Sequence, residues 1–152
     1  MTEAQLSNAM DAYGSTVYRL ALTRMQNIAD AEDVYQEVFL RLWKQAAEDW
    51  DGDRAKAWLI RTTLNRCADL HRFHLRRPVL SFAEIPDLAQ PEDESRELWE
   101  AVSRLPEKAR TVVHLYYAEG YSAEEISQLM HIPAATVRTR LHRARKQLKE
   151  LL

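Results

Sequence analysis

The last third of the chain allows few folds. From Tyr121 to Leu152 it reads as a short helix, a tight turn and a longer basic helix. Ser122 can cap the short helix, and Glu125, three residues on, can reach back to complete a capping box. Ile126, Leu129 and Met130 supply its buried stripe. A turn falls at His131-Ile132, and Pro133 suits a first helical position, where a missing N–H is no loss. Val137, Leu141, Ala144, Leu148 and Leu151 then recur at spacings of three or four, which gives one apolar seam on an otherwise polar helix. Helix, turn and helix in this order is the arrangement that places a helix in the major groove of DNA.

The longer helix carries Arg138, Arg140, Arg143, Arg145, Lys146 and Lys149, with no acidic residue before Glu150. At about 100° per residue, Thr136, Arg140 and Arg143 flank one side of the seam, while Arg138, His142, Arg145 and Lys149 flank the other. A helix lying in a groove meets phosphates on both walls, so cations on both flanks suit that task. The plainer reading is a solvated basic face. The capped helix and turn directly before it favour the DNA reader.

The rest of the chain also predicts helices. Only three glycines and five prolines occur in 152 residues, and alternating β-branched runs are few, so the fold class is all-α. Hydrophobic residues make up 46% and charged residues 29%, enough to pack a core and too apolar for a disordered chain. The formal net charge of −2 argues against indiscriminate coating of nucleic acid. Charge is instead distributed in blocks. Residues 1–53 hold 10 acidic and 4 basic side chains, and residues 54–77 hold 7 basic and 1 acidic, which points to separate surfaces for separate partners. The single cysteine, Cys67, excludes an intrachain disulfide and reads as an inert core thiol. No apolar run is long enough to span a bilayer and no signal peptide opens the chain, so a cytoplasmic protein without membrane insertion is expected.

In chain order, residues 2–26 form a long amphipathic helix whose weak point is Gly14. Asp30 is the expected N-cap of the next helix, in which Val34, Val38 and Leu42 form the buried line with Phe39 and Trp43 beside it. Gln36, Glu37, Leu40 and Arg41 remain on other faces, open to a partner. Residues 48–53 form an acidic loop ending in a possible cap at Asp53, without the further spaced ligands of a calcium site. Residues 54–77 give a helix in which Trp58, Ile60, Leu64, Cys67 and Leu70 alternate with Lys56, Arg61, Arg66, Arg72, Arg76 and Arg77, and cations among aromatics suit unstacked bases. A solvated strip beside an apolar core explains the same composition equally well. Residues 78–93, with three prolines and four carboxylates, form a flexible acidic linker. Ser95 can cap a short helix bearing Leu98, Trp99, Val102 and Leu105. Pro106 then opens another helix, to Glu119, with Ala109, Val112, Val113, Tyr116 and Tyr117 on its inner side and Gly120 as its stop. Two small helical domains follow, 1–77 and 94–152, joined by the 78–93 linker.

Two blocks of residues carry a family resemblance. Residues 30–43, Asp-Ala-Glu-Asp-Val-Tyr-Gln-Glu-Val-Phe-Leu-Arg-Leu-Trp, are similar to region 2.2 of the sigma-70 family of RNA polymerase sigma factors, in its extracytoplasmic-function group. Residues 105–148 resemble region 4 of that family, including Tyr121-Ser122-Ala123-Glu124-Glu125-Ile126 and the run from Thr136 to Arg145. Between them, Ala57-Trp58-Leu59 with Asn65, Asp69 and Arg72 resembles regions 2.3 and 2.4. The resemblance implies a subunit without catalysis or cofactor that binds core polymerase and directs it to promoters. It assigns Asp33, Gln36, Glu37 and Leu40 to a coiled coil of the β′ subunit. The residues 48–56 loop with Trp58, Arg61, Asn65 and Arg66 is assigned to opening the −10 element and capturing a flipped base. Thr136, Arg138, Thr139, Arg140, His142, Arg143 and Lys146 are assigned to the −35 element, with the β flap as a further contact. An anti-sigma factor is an expected partner. The chain departs from the family pattern at Thr62 and Leu64, at His131 where glycine is usual, and at Pro133 in place of a capping serine or threonine. The alternative is a stand-alone helix-turn-helix regulator of duplex operators, which has no need of the 30–43 block. An enzyme is disfavoured, since no phosphate loop, metal-ligand pair or nucleophile arrangement is present.

Overall fold

A computed structural model describes residues 1–45, 52–73 and 96–152, and every regular element among them is helical. The chain divides into two compact units, Met1–Ala89 and Gln90–Leu152. The first contains α1 (Glu3–Met25), α2 (Ile28–Trp43) and α3 (Gly52–Phe73). The second contains α4 (Arg96–Ser103), α5 (Glu107–Val113) with a π-helical turn at His114–Ala118, α6 (Ala123–Met130) and α7 (Ala134–Leu151). Residues 48–51 of the acidic loop, the linker 78–93, and the positions of His74, Arg76, Arg77 and Ser95 lie outside the described residues.

In the first unit α1, α2 and α3 pack around Val17, Ala21, Leu22, Val34, Val38, Leu42, Leu59 and Cys67. Thr2 caps α1 with a complete capping box through Gln5, and Gln26 ends it in the left-handed region at φ 50. Gly14 lies where α1 and α2 meet closely: a Cβ there would come 3.1 Å from the Tyr35 hydroxyl, so that side chain would have to give by a few tenths of an ångström to accommodate it. The cap of α2 is Asn27, whose side chain accepts from the N–H of Asp30 at 3.0 Å. Asp30, the expected cap, sits inside the first turn and is buried. Asn27 competes better because an Asx side chain in extended backbone reaches the third amide, and three residues upstream it finds one. Asp53 is likewise displaced from the cap into the first turn of α3.

The second unit is built on α7. Its seam residues Val137, Leu141 and Ala144 are buried with Val102, Leu105, Val112, Leu115, Ile126 and Leu129, whereas Leu148 is half-buried and Leu151 exposed. Arg110 is buried and donates from its guanidinium to the Leu105 carbonyl at 2.7 Å, tying α5 to the end of α4. Tyr116 and Tyr117, expected on the inner side, face outward. The π-helical turn is the reason. With N–H groups bonding five residues back, as Glu119 does to His114 at 3.2 Å, each residue turns the chain by less than 100°, and a face extrapolated from α5 loses its register. His114 and Leu115 take the inner positions, and the His114 ring lies 5.8 Å from that of Trp99.

Candidate functional site

The helix-turn-helix is set by short-range bonds. Ser122 accepts from the Glu125 N–H at 3.1 Å and the Glu125 carboxylate accepts from the Ser122 N–H at 3.0 Å, the reciprocal pair expected from the sequence. His131 ends α6 at φ 55, ψ 45, a left-handed conformation that glycine adopts more cheaply. Ser127 holds this turn from both sides. Its carbonyl accepts from the N–H groups of His131 and Ile132, and its hydroxyl donates to the Ile132 carbonyl. Pro133 then occupies the cap position, one residue before the expected first helical place, and its carbonyl accepts from Thr136 and Val137. It supplies no side-chain cap.

On α7, Thr139, His142, Arg143 and Lys146 are exposed, and Thr136 and Arg140 are half-buried. Thr136, Thr139, Arg143 and Lys146 occupy about 80° of arc opposite the seam, so they form one face. Among the described residues none of Arg140, Arg143 or Lys146 is in an ion pair. The other flank differs. Arg138 bonds to Glu124 of α6 at 2.9 Å, with side chains 58% and 69% exposed, and Arg145 donates to the Tyr117 hydroxyl at 2.7 Å. The two flanks, equivalent in the sequence, are therefore unequal in the fold.

On α3, Trp58, Arg61 and Asn65 share a face by their i, i+3, i+7 spacing. Arg61 and Asn65 are exposed, while Trp58 is half-buried against the core. Arg66 lies around the helix from them, half-buried, with its Nε enclosed. Thr62 and Leu64, the positions that depart from the family pattern, are both buried, and Thr62 donates back to the Trp58 carbonyl at 2.7 Å.

On α2, Asp33, Gln36, Glu37 and Leu40 line one face, with Leu40 56% exposed and Glu37 paired to Arg41 at 3.2 Å. Trp43, expected beside the buried line, is 38% exposed on the Gln36 side of this face. Its position seven residues after Gln36 is the signal that would have placed it there. This face therefore combines acidic and amide side chains with an exposed leucine and an exposed tryptophan. No cluster of metal-ligating side chains occurs among the described residues, and none of their helices is long and apolar enough to cross a membrane.

Comparisons with known proteins identify the family. Residues 9–77 match the family model for sigma-70 region 2, and residues 95–148 match that for sigma-70 region 4. The chain is 32% identical to the probable RNA polymerase sigma factor RfaY of Xanthomonas campestris pv. campestris over 91% of its length, but spans only 38% of that protein. It is 31% identical to the extracytoplasmic-function sigma factor SigL of Mycobacterium tuberculosis, over 97% of this chain and 89% of SigL. Its fold is similar to that of CnrH, solved in complex with the cytosolic domain of CnrY, with a TM-score of 0.68, 26% identity and coverage of 99% of this chain and 88% of CnrH. With two family models matched in order and a full-length relative above 30% identity, the chain belongs to the sigma-70 family of RNA polymerase sigma factors, in the extracytoplasmic-function group.

Proposed function

We propose that this chain binds core RNA polymerase in the cytoplasm and directs it to promoters by engaging the −35 and −10 elements. The observation that carries the proposal is the exposed face of α7. It presents Thr139, Arg143 and Lys146 outward, with half-buried Thr136 beside them, from a helix whose seam residues Val137, Leu141 and Ala144 are buried in the second unit. In this reading Thr136, Arg138, Thr139, Arg140, His142, Arg143 and Lys146 meet the −35 element. The N-terminal part of the helix reads base edges and the cations meet phosphate. Trp58, Arg61 and Asn65 meet the −10 element, where a base held outside the stack offsets an unstacking cost of a few kcal/mol. Arg66, away from that face, supports the site from the side. Asp33, Gln36, Glu37 and Leu40, with Trp43, dock on the β′ coiled coil, and the second unit meets the β flap. The domains are 1–77 for polymerase docking and the −10 element, 78–93 as linker, and 94–152 for the −35 element. The chain acts by binding alone, with no catalysis of its own. A protein that masks these surfaces, an anti-sigma factor, is the proposed regulator, and the CnrH complex with CnrY supports a partner of this kind.

The test combines the full chain with sigma-free bacterial core polymerase and a library of duplexes randomised over both promoter elements. Transcripts enriched for two short motifs one linker apart are expected. Leu40→Asp should abolish assembly with core while leaving the chain folded. Absence of any complex between wild-type chain and core would overturn the reading.

A further inference from the structure

The Arg145 flank of α7 carries a feature that the −35 assignment leaves unused. Tyr116 and Tyr117 are 36% and 52% exposed, with ring centroids 4.9 Å apart in an edge-to-face pair. The guanidinium of Arg145 lies 5.7 Å from each ring centroid and donates from Nε to the Tyr117 hydroxyl at 2.7 Å. Its two terminal nitrogens have no hydrogen-bond partner among the described residues. Two large aromatic side chains are thus held at the surface by the π-helical turn, and what they contact is a cation. A guanidinium held beside two rings and by one hydrogen bond has less rotamer freedom to lose when a ligand arrives, and the fork that remains matches phosphate oxygens.

From this we infer that Tyr116, Tyr117 and Arg145 form a preset clamp for one phosphate of the duplex backbone, beside the groove that α7 enters. The inference rests on the promoter-binding reading above. Position along the helix favours phosphate over a base. Arg145 lies seven residues, about 10 Å, beyond Arg138, and recognition helices contact base edges with their N-terminal residues. Duplex DNA is favoured over single strands because the ring pair is closed edge to face, with the cation over both rings, and offers no open platform for a base. Continuity with Arg138, His142 and Lys149 on the same flank favours DNA over a protein partner. Tyr116 and Tyr117 are positioning residues, and the charge belongs to Arg145.

The experiment measures binding of the full chain to a 30-base-pair duplex of random sequence as salt is raised. Arg145→Gln should weaken binding roughly tenfold near 0.1 M salt and reduce the slope of log affinity against log salt by about one, the effect of one lost phosphate contact. The loss should be the same for every duplex sequence. Tyr117→Phe keeps the charge and the ring, so a two- to threefold loss with an unchanged slope is expected, about the effect of one lost orienting hydrogen bond. A structural role alone would lower the melting temperature and leave the slope untouched. Arg143→Gln serves as the control. If it weakens binding and Arg145→Gln does not, or if Arg145→Gln spares DNA and blocks assembly with core polymerase, the clamp is overturned and the promoter reading stands. If the wild-type chain binds no duplex even at low salt, the clamp is overturned, and the promoter reading is decided separately by assembly with core polymerase.

Discussion

Helices α3 and α7 are the two basic helices of the chain, and the fold treats them differently. In α3 the residues Leu59, Ile60, Thr62, Thr63, Leu64, Cys67 and Leu70 are all buried, which leaves a narrow strip for Arg61 and Asn65. In α7 only Val137, Leu141 and Ala144 are buried, and the cations spread over more than half of the circumference. Helix α3 is a core element with an exposed polar edge. Helix α7 is a surface element with a structural edge. The buried threonines of α3 show how the first arrangement is possible. Thr62 and Thr63 return their hydroxyls to the Trp58 and Leu59 carbonyls at 2.7 Å each, so polar side chains occupy apolar surroundings with their donors satisfied.

The contrast can be broken most directly through stability. Leu59→Ala, in a fully buried position of α3, should cost about 2–5 kcal/mol and is read by urea or thermal unfolding. Arg143→Gln on exposed α7 should leave stability within about 0.5 kcal/mol while weakening duplex binding and lowering the salt slope by about one. Equal destabilisation by the two changes would show that α7 is more than a surface helix.

Smaller effects sharpen the picture at the start of α7. His131→Gly removes the left-handed strain of about 1–2 kcal/mol but loosens the unfolded chain. The net should be a gain of about 0.5–1 kcal/mol, seen as a melting temperature a few degrees higher. A loss would mean that the exposed imidazole makes a contact worth more than the strain. Glu124→Gln is the subtlest test. It frees Arg138 from an exposed pair worth about 0.2–1 kcal/mol, so stability should barely move. Duplex binding should tighten two- to threefold, measured by titration at fixed salt, because a carboxylate no longer competes with phosphate for Arg138. Weaker binding would instead identify Glu124 as the residue that aims Arg138.

Periodicity made most of the helices legible, and local chemistry made several ends legible. The Ser122–Glu125 capping box and a turn at His131 were expected from residue type, while the left-handed conformation of His131 was pointed to only by the glycine usual at that place in the resembling family. Ends failed where two residues competed for one role. Asn27 and Asp30 can each cap a helix, and only the backbone path of α1 into α2 selects Asn27. The outward turn of Tyr116 and Tyr117 was not legible because nothing in the spacing of apolar residues announces a π-helical turn. For the same reason Tyr117 could not be linked with Arg145, 28 residues away.

The sequence by itself determined the all-helical class and the basic seam-bearing helix, because each follows from side-chain types at spacings of three, four and seven within a single helix, while the two family blocks came from their resemblance to known regions. Tertiary structure decided which of those side chains are available. Glu124 reaches Arg138 across fourteen residues and Tyr117 reaches Arg145 across twenty-eight, so one flank of α7 is engaged by the protein and the other is left open. Contacts between helices depend on crossing angle and register, which no single helix encodes.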